Sequence, residues 1–193
     1  MLHFSNVVLS VFAVLIIPGP TNTLLVTAAA TLGPRRAGSF VFAEVAGYLL
    51  SISFLLCVVR PWAAQQETVR IVLQVACATY LGYAAWALWQ RASDPHSQPV
   101  RLHNVFVTTL LNPKSLMFAV FIFPGEFGPF ESLLWYYGWF VAICLLVGMS
   151  WITVGAFFWI ITERSAGHRT FQRVGAIALG CFTVLLLGSL LPS

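Results

Sequence analysis

The sequence predicts an all-α membrane protein: six transmembrane helices arranged as two inverted three-helix repeats, with helices 1 and 4 broken near the midplane. Three observations point there: the composition, the sorting of basic residues between loops, and two proline-centred interruptions at matching places in the two halves. Of 193 residues, 59% are hydrophobic and only 8% are charged, and the mean hydropathy is +0.87. Soluble domains carry about 25% charged residues, and a water-soluble fold of this length has too little interior to hide so much apolar surface. Residues 1–193 therefore read as a single transmembrane domain with lipid as its solvent. The net charge of +4 then bears on orientation rather than on nucleic acid, and no nucleic-acid partner is expected.

A crossing helix needs about 20 apolar residues. The qualifying segments are 4–30, 38–60, 69–90, 103–124, 132–161 and 172–191. The first opens without the basic stretch of a signal peptide, since MLHFSN contains neither Lys nor Arg, and is expected to be retained. The second carries Glu44, and the third is weakened by Gln74 and Thr79. The fourth contains Asn112-Pro113-Lys114, and the fifth is long enough to tilt or to extend beyond the bilayer. Helices are the default because lipid cannot satisfy exposed backbone groups, and these segments are too long and unbroken for barrel strands. Cys57, Cys77, Cys144 and Cys181 lie in apolar segments without CxxC or zinc spacing. They are expected to be small buried hydrophobes, with no metal site and no cofactor.

Loops 1–2, 3–4 and 5–6 hold Arg35, Arg36, Arg91, Arg101, Arg164, Arg169 and Arg173. The opposite side holds Arg60 and Arg70, and the loop PGEFGPFE between spans 4 and 5 has no basic residue. The positive-inside rule puts the first group in the cytoplasm and both termini outside. Trp62, Trp86, Trp89, Trp135, Trp139 and Trp159 fall near span ends, as an interfacial belt would have them, although helix packing accounts for any single one equally well. The stretch with linker character is SDPHSQPVR, 93–101. It separates repeat one, about 1–92, from repeat two, about 102–193. Three spans per half is an odd number, so the second half runs inverted, a common plan in secondary transporters.

The interruptions carry the chemistry. Span 1 reads LIIPGPTNTLLV at 15–26, and span 4 reads TTLLNPKSLMF at 108–118. A proline inside a helix removes a backbone hydrogen bond and clashes with the preceding turn, and a new half-helix can start after it. Thr21 or Asn22 would serve as N-cap in the first half, and Asn112 with Pro113 matches the preferences for N-cap and first position in the second. Each half-helix start leaves free N–H groups and a partial positive charge, suited to a carboxylate. Broken segments at corresponding places are the best sequence pointer to a transport site; the plainer alternative is a pair of packing kinks.

Lys114 sharpens the choice. About eleven residues at ~1.5 Å each put it roughly 16 Å from the cytoplasmic end of span 4, beyond full snorkelling reach. A central charge costs at least ~2.5–3.5 kcal/mol on insertion scales, so a polar cavity or partner is expected. Glu44 is the acidic residue well within a span, about 9 Å from the cytoplasmic end of span 2. It is a candidate for proton coupling, for a substrate amine or for pairing with Lys114; pairing with Arg35 or Arg36 is equally consistent. Ala43 and Gly47 form a small-xxx-small pair that suits close helix packing.

With these residues the chain resembles the LysE/RhtB family of amino-acid exporters. PGPTNTLL at 18–25, GPRRAG at 33–38, YLGYAAW at 80–86 and LLNPKSLMF at 110–118 look like that family's pattern, in its usual order and across nearly the whole chain. The resemblance implies a six-helix exporter of small amino acids or their derivatives in the bacterial inner membrane, a transporter rather than an enzyme, driven by proton exchange. It implies that Pro18, Gly19, Pro20 and Asn22, with Asn112, Pro113 and Lys114, belong to the substrate region; Thr21 is grouped with them from its place in the break. The chain departs where Thr21 intervenes before Asn22 and where Glu44 stands at a position often small or apolar, which leaves the substrate open. The expected partners are a small-molecule substrate and lipid, with homo-oligomerisation open. Two other classes compete: a membrane thiol-redox conduit, weakened because spans 1 and 4 contain no cysteine, and a non-transporting membrane subunit, which has no use for a central lysine.

Overall fold

A computed structural model describes residues 4–59, 61, 66–91, 100–123, 130–161, 173, 176–177, 180–181, 183–185 and 187–188. Every element formed among them is helical. Helix α1 is Phe4–Ile16, α2 Pro20–Leu32, and α3 Pro34–Phe54, which runs on into a π-helical turn Leu55–Val59. Helix α4 is Glu67–Arg91 and α5 Leu102–Leu110. Helix α6 is Pro113–Met117, continued by a π-helical turn Phe118–Ile122, and α7 is Phe130–Ile161.

Proline starts three of these helices. Pro20, Pro34 and Pro113 each stand at the beginning of α2, α3 and α6. There the fixed φ is already helical and the missing N–H has no helical partner to lose. Between α2 and α3 the chain turns on Gly33, whose φ of +82° is open to glycine and strained for other residues. Its N–H bonds Ala29 O at 3.1 Å and its carbonyl receives Ala37 N at 3.1 Å, so one residue closes α2 and opens α3.

Three described helices are long and apolar enough to cross a membrane, over 34–59, 67–87 and 133–157. The pair 5–16 and 20–32 makes a fourth crossing if it is one bent span, with a 57° bend at the break. The fourth expected span is also interrupted: α5 ends at Leu110, Leu111 turns, and α6 begins at Pro113. Half of the sixth expected span, most of the 93–101 linker, Trp62 and the side chain of Trp159 lie outside the described residues.

The interior is arranged as two apolar clusters. One gathers Leu15, Tyr48, Ile52, Phe118 and Phe140; the other gathers Leu25, Val41, Val105 and Ile152. Along α1–α2, along α3 and along α5–α6 the chain passes from one cluster to the other. Thr21–Thr23, Glu44 and Thr109–Ser115 occupy the crossings between them. Outward faces are apolar, with Leu9, Phe42, Leu50, Val72, Leu146 and Phe157 exposed, as lipid requires. Cys144 is buried as expected, but Cys57 and Cys181 are exposed. That departs from the sequence reading because an apolar residue facing lipid needs no burial.

Helix α2 packs on α3 and α7, and α3 on α5 and α7. Two glycines permit the closest approaches. A Cβ on Gly47 would stand 2.9 Å from Phe106 O and from Thr109 Cβ, and one on Gly155 would stand 2.5 Å from Val26 O and 2.9 Å from Ala29 Cβ. The Gly47 contact bears out the small-residue packing expected for α3. Backbone cannot move aside as a flexible side chain can, so Gly155→Ala should separate α2 from α7. Overpacking of this kind costs about 1–3 kcal/mol. The expected result is a lower melting temperature in detergent, with Gly138→Ala, which meets nothing within 4 Å, as the unaffected control.

Candidate functional site at the two helix breaks

The first break follows from counting i→i−4 bonds. Pro18 and Pro20 have no N–H to offer Val14 O and Ile16 O, and Gly19 is extended, at φ −155° and ψ 179°, so it does not continue α1. The carbonyls at the end of α1 therefore need other donors. Asn22 supplies them for two carbonyls of this stretch: its Nδ2 reaches back across the break to Leu15 O at 3.0 Å and Ile17 O at 2.9 Å. Thr23 closes the start of α2, its N and its Oγ1 both bonding Gly19 O at 2.9 Å.

This corrects the expected cap. Neither Thr21 nor Asn22 is the N-cap of α2; Gly19 is, without a side-chain cap. Pro20 takes the first helical position, which puts Thr21 and Asn22 inside the first turn and frees their side chains to bond across the break.

The second break is capped as its sequence suggests. Asn112 Oδ1 accepts from Lys114 N at 3.0 Å, with Pro113 at the first helical position. The same residue ties the two breaks together, since Asn112 Nδ2 donates to Thr21 Oγ1 at 2.9 Å and Tyr48 OH at 3.3 Å. Thr109 Oγ1 adds a bond to Thr21 Oγ1 at 3.2 Å while also bonding Val105 O at 2.8 Å.

Lys114, the single lysine of the chain, is 3% exposed. Its Nζ donates to Ile17 O at 2.6 Å and to Leu15 O at 3.4 Å, the same two carbonyls that Asn22 serves. A cation at the C-terminal end of a half-helix meets the negative pole of its dipole. Gly19 leaves room for it: a Cβ there would stand 3.3 Å from Lys114 Cε and 3.4 Å from Nζ. Pro18, Gly19, Pro20, Thr21 and Asn22 are thus brought together with Asn112, Pro113 and Lys114 across 90 or so residues of sequence.

Glu44 is 2% exposed, and its Oε2 makes no hydrogen bond. It lies within electrostatic reach of Lys114, Tyr48 and Cys144. Gly148 of α7 gives it space, since a Cβ there would stand 2.9 Å from Oε2. Arg35 and Arg36 are exposed, so burial separates Glu44 from the pairing at a cytoplasmic mouth that the sequence left open.

Sequence reasoning missed Tyr48, Thr109 and Ser115, all buried at the crossing. Tyr48 stands edge-on to Phe118 at 5.8 Å and Phe140 at 5.7 Å, so one end of it packs in the aromatic cluster while its hydroxyl meets Asn112. Its place one turn after Glu44, on the same face of α3, is the signal that could have found it.

The family model described as LysE type translocator matches residues 12–191, nearly the whole chain and both breaks. The chain belongs to the LysE type translocator family. No curated protein and no solved structure matches it. As a LysE type translocator it is a transport protein of the membrane, and its apolar helices agree with that. The buried polar crossing is the part of this translocator that lipid-facing helices do not explain.

Proposed function

We propose that this translocator is a secondary-active exporter of small amino acids or amino-acid derivatives across the bacterial inner membrane, coupled to protons. It is built as six helices in two inverted repeats, and homo-oligomerisation is left to the assembly of its lipid-facing surface. Pro18, Gly19, Pro20, Thr21, Asn22, Asn112, Pro113 and Lys114 form the substrate region, and Glu44 is the proton-coupling residue. One observation carries this reading: the chain's single lysine is buried where a helix break from each half meets. Burying an ammonium costs at least ~2.5–3.5 kcal/mol on insertion scales, and two packing kinks need no such charge. The thiol-conduit alternative gains nothing, because Cys57, Cys144 and Cys181 are free and two of these three are exposed.

The orientation has support of its own. Arg173 lies over the ring of Trp89 at 5.4 Å, which brings the end of α4 and the segment after α7 to one side. Those are two of the three basic loop regions that the positive-inside rule assigns to the cytoplasm. Single cysteines at Ser39 and at Thr68 should therefore label from opposite sides in intact cells, Thr68→Cys from outside. Labelling of Ser39→Cys by an impermeant reagent would reverse the topology.

The transport reading is tested by expression in a host sensitive to toxic amino acids and analogues. Resistance to at least one compound, with lower cell content of it, is expected. Unchanged accumulation of every amino acid in the panel would remove the reading.

A further inference from the structure

We infer that the carbonyl oxygens of Leu15 and Ile17 are the subsite for a primary ammonium group of the substrate, and that Lys114 fills this subsite when substrate is absent. This deepens the transport reading and rests on it. The first support is redundancy. Asn22 Nδ2 already donates to both carbonyls, at 3.0 and 2.9 Å, so the end of α1 is capped without Lys114. A carbonyl oxygen has two lone pairs, and the ammonium of Lys114 takes the second position on each, at 3.4 and 2.6 Å. That second position is a place for an ammonium donor at the negative end of a half-helix, and the chain's own ammonium fills it.

The second support is access. The bond to Leu15 O is buried, but the one to Ile17 O is only partly so, and Pro18 and Pro20 beside it are half-exposed. The subsite therefore opens on one side of the break. The third is the chemistry of the exchange. An amino acid carries its ammonium and carboxylate on one carbon, or a few atoms apart. When its ammonium takes the two carbonyls, its carboxylate comes beside the displaced lysine head, and the two charges pair. Lys114 leaves one set of oxygens for another and is never an unpaired buried charge. A ligand lacking the carboxylate would strand Lys114; a ligand lacking the ammonium would leave nothing to displace it. The site thus selects free zwitterions over N-blocked derivatives and over simple amines.

The test has two arms. In the first, Lys114→Ala removes three carbons and the ammonium, the outline of n-propylammonium. Addition of n-propylammonium chloride should raise the melting temperature of the purified variant by several degrees, while tetramethylammonium chloride and potassium chloride should not. The wild-type protein, whose subsite is filled, should show no such difference. Equal responses of the variant to all three salts would overturn the subsite. The second arm uses wild-type proteoliposomes and stands if the variant does not fold. The exported amino acid found in the resistance panel is compared with its N-acetyl form as competitor. Loss of the charge-assisted bonds should weaken competition by about tenfold or more; equal competition would overturn the subsite while leaving export intact. Conversely, the absence of export for every amino acid would remove the transport reading, and propylammonium would still shift the variant.

Discussion

Lys114→Ala should lower substrate efflux by about ten- to a hundredfold in a protein that still folds and inserts. The magnitude comes from the contact removed. A hydrogen bond to a charged group contributes about 1.5–3 kcal/mol, and each ~1.4 kcal/mol is a factor of ten. Folding survives because the carbonyls that Lys114 serves keep Asn22 as a donor, at 3.0 and 2.9 Å. The cap of α6 also survives, since it uses the backbone N of residue 114 and the side chain of Asn112. Lys114→Arg is expected to be impaired as well. The guanidinium is a planar fork with a longer reach, not a compact point charge, and the space beside Gly19 is tight, with only 3.3 Å to Lys114 Cε from a Cβ placed there. Initial efflux rates from loaded cells, normalised to the amount of protein in the membrane, provide the measurement. Wild-type efflux by the alanine variant would take Lys114 out of the substrate region.

How far the sequence reaches is clearest at the two breaks. A break near Pro20 and a helix start at Pro113 were legible because proline has one good place in a helix, and Asn112 as a cap because its side chain bonds its own local backbone; that Pro20 itself opens α2, with Gly19 as cap, was not. Such effects lie within four residues of their cause. What Asn22 does was not legible. Its partners are Leu15 O and Ile17 O, seven and five residues back, and reaching them depends on the 57° bend between the two half-helices. The meeting of Lys114 with those same carbonyls was legible only as a need, a central charge requiring a partner; the partner lies 97 and 99 residues away and is backbone, which has no sequence signature. Tyr48 was missed for a related reason. A tyrosine among apolar residues reads as interface or core, and only its edge-on packing against Phe118 and Phe140 aims the hydroxyl at Asn112. Membrane embedding, by contrast, was set by composition and needs no contact at all.

Glu44→Gln should abolish efflux driven by a proton gradient while leaving exchange of substrate across the membrane nearly intact. The substitution keeps size and shape but removes the group that can take and release a proton. Coupling requires a titrating group that communicates with the substrate region, and the described interior offers few. Glu44 on α3 is faced by Lys114 of α6, by Tyr48 one turn along its own helix and by Cys144 of α7. Lys114 is engaged with backbone carbonyls and Tyr48 with Asn112, whereas Glu44 Oε2 is buried and has no hydrogen-bond partner. A buried carboxylate oxygen left without a partner is costly, and a proton shared in turn with the two sides of the membrane gives it a use. Pairing with the arginines of the first loop does not account for it, because Arg35 and Arg36 are exposed and Glu44 is two turns or more further along α3, about 12 Å from Arg36 by helical rise. The measurement is made in proteoliposomes with an imposed pH gradient, followed by counterflow of labelled substrate without one. Loss of gradient-driven efflux with retained counterflow is the expected pair of results. Near-normal gradient-driven rates for the glutamine variant would end the assignment of Glu44 as proton carrier, and loss of both activities would move Glu44 into the substrate region beside Lys114.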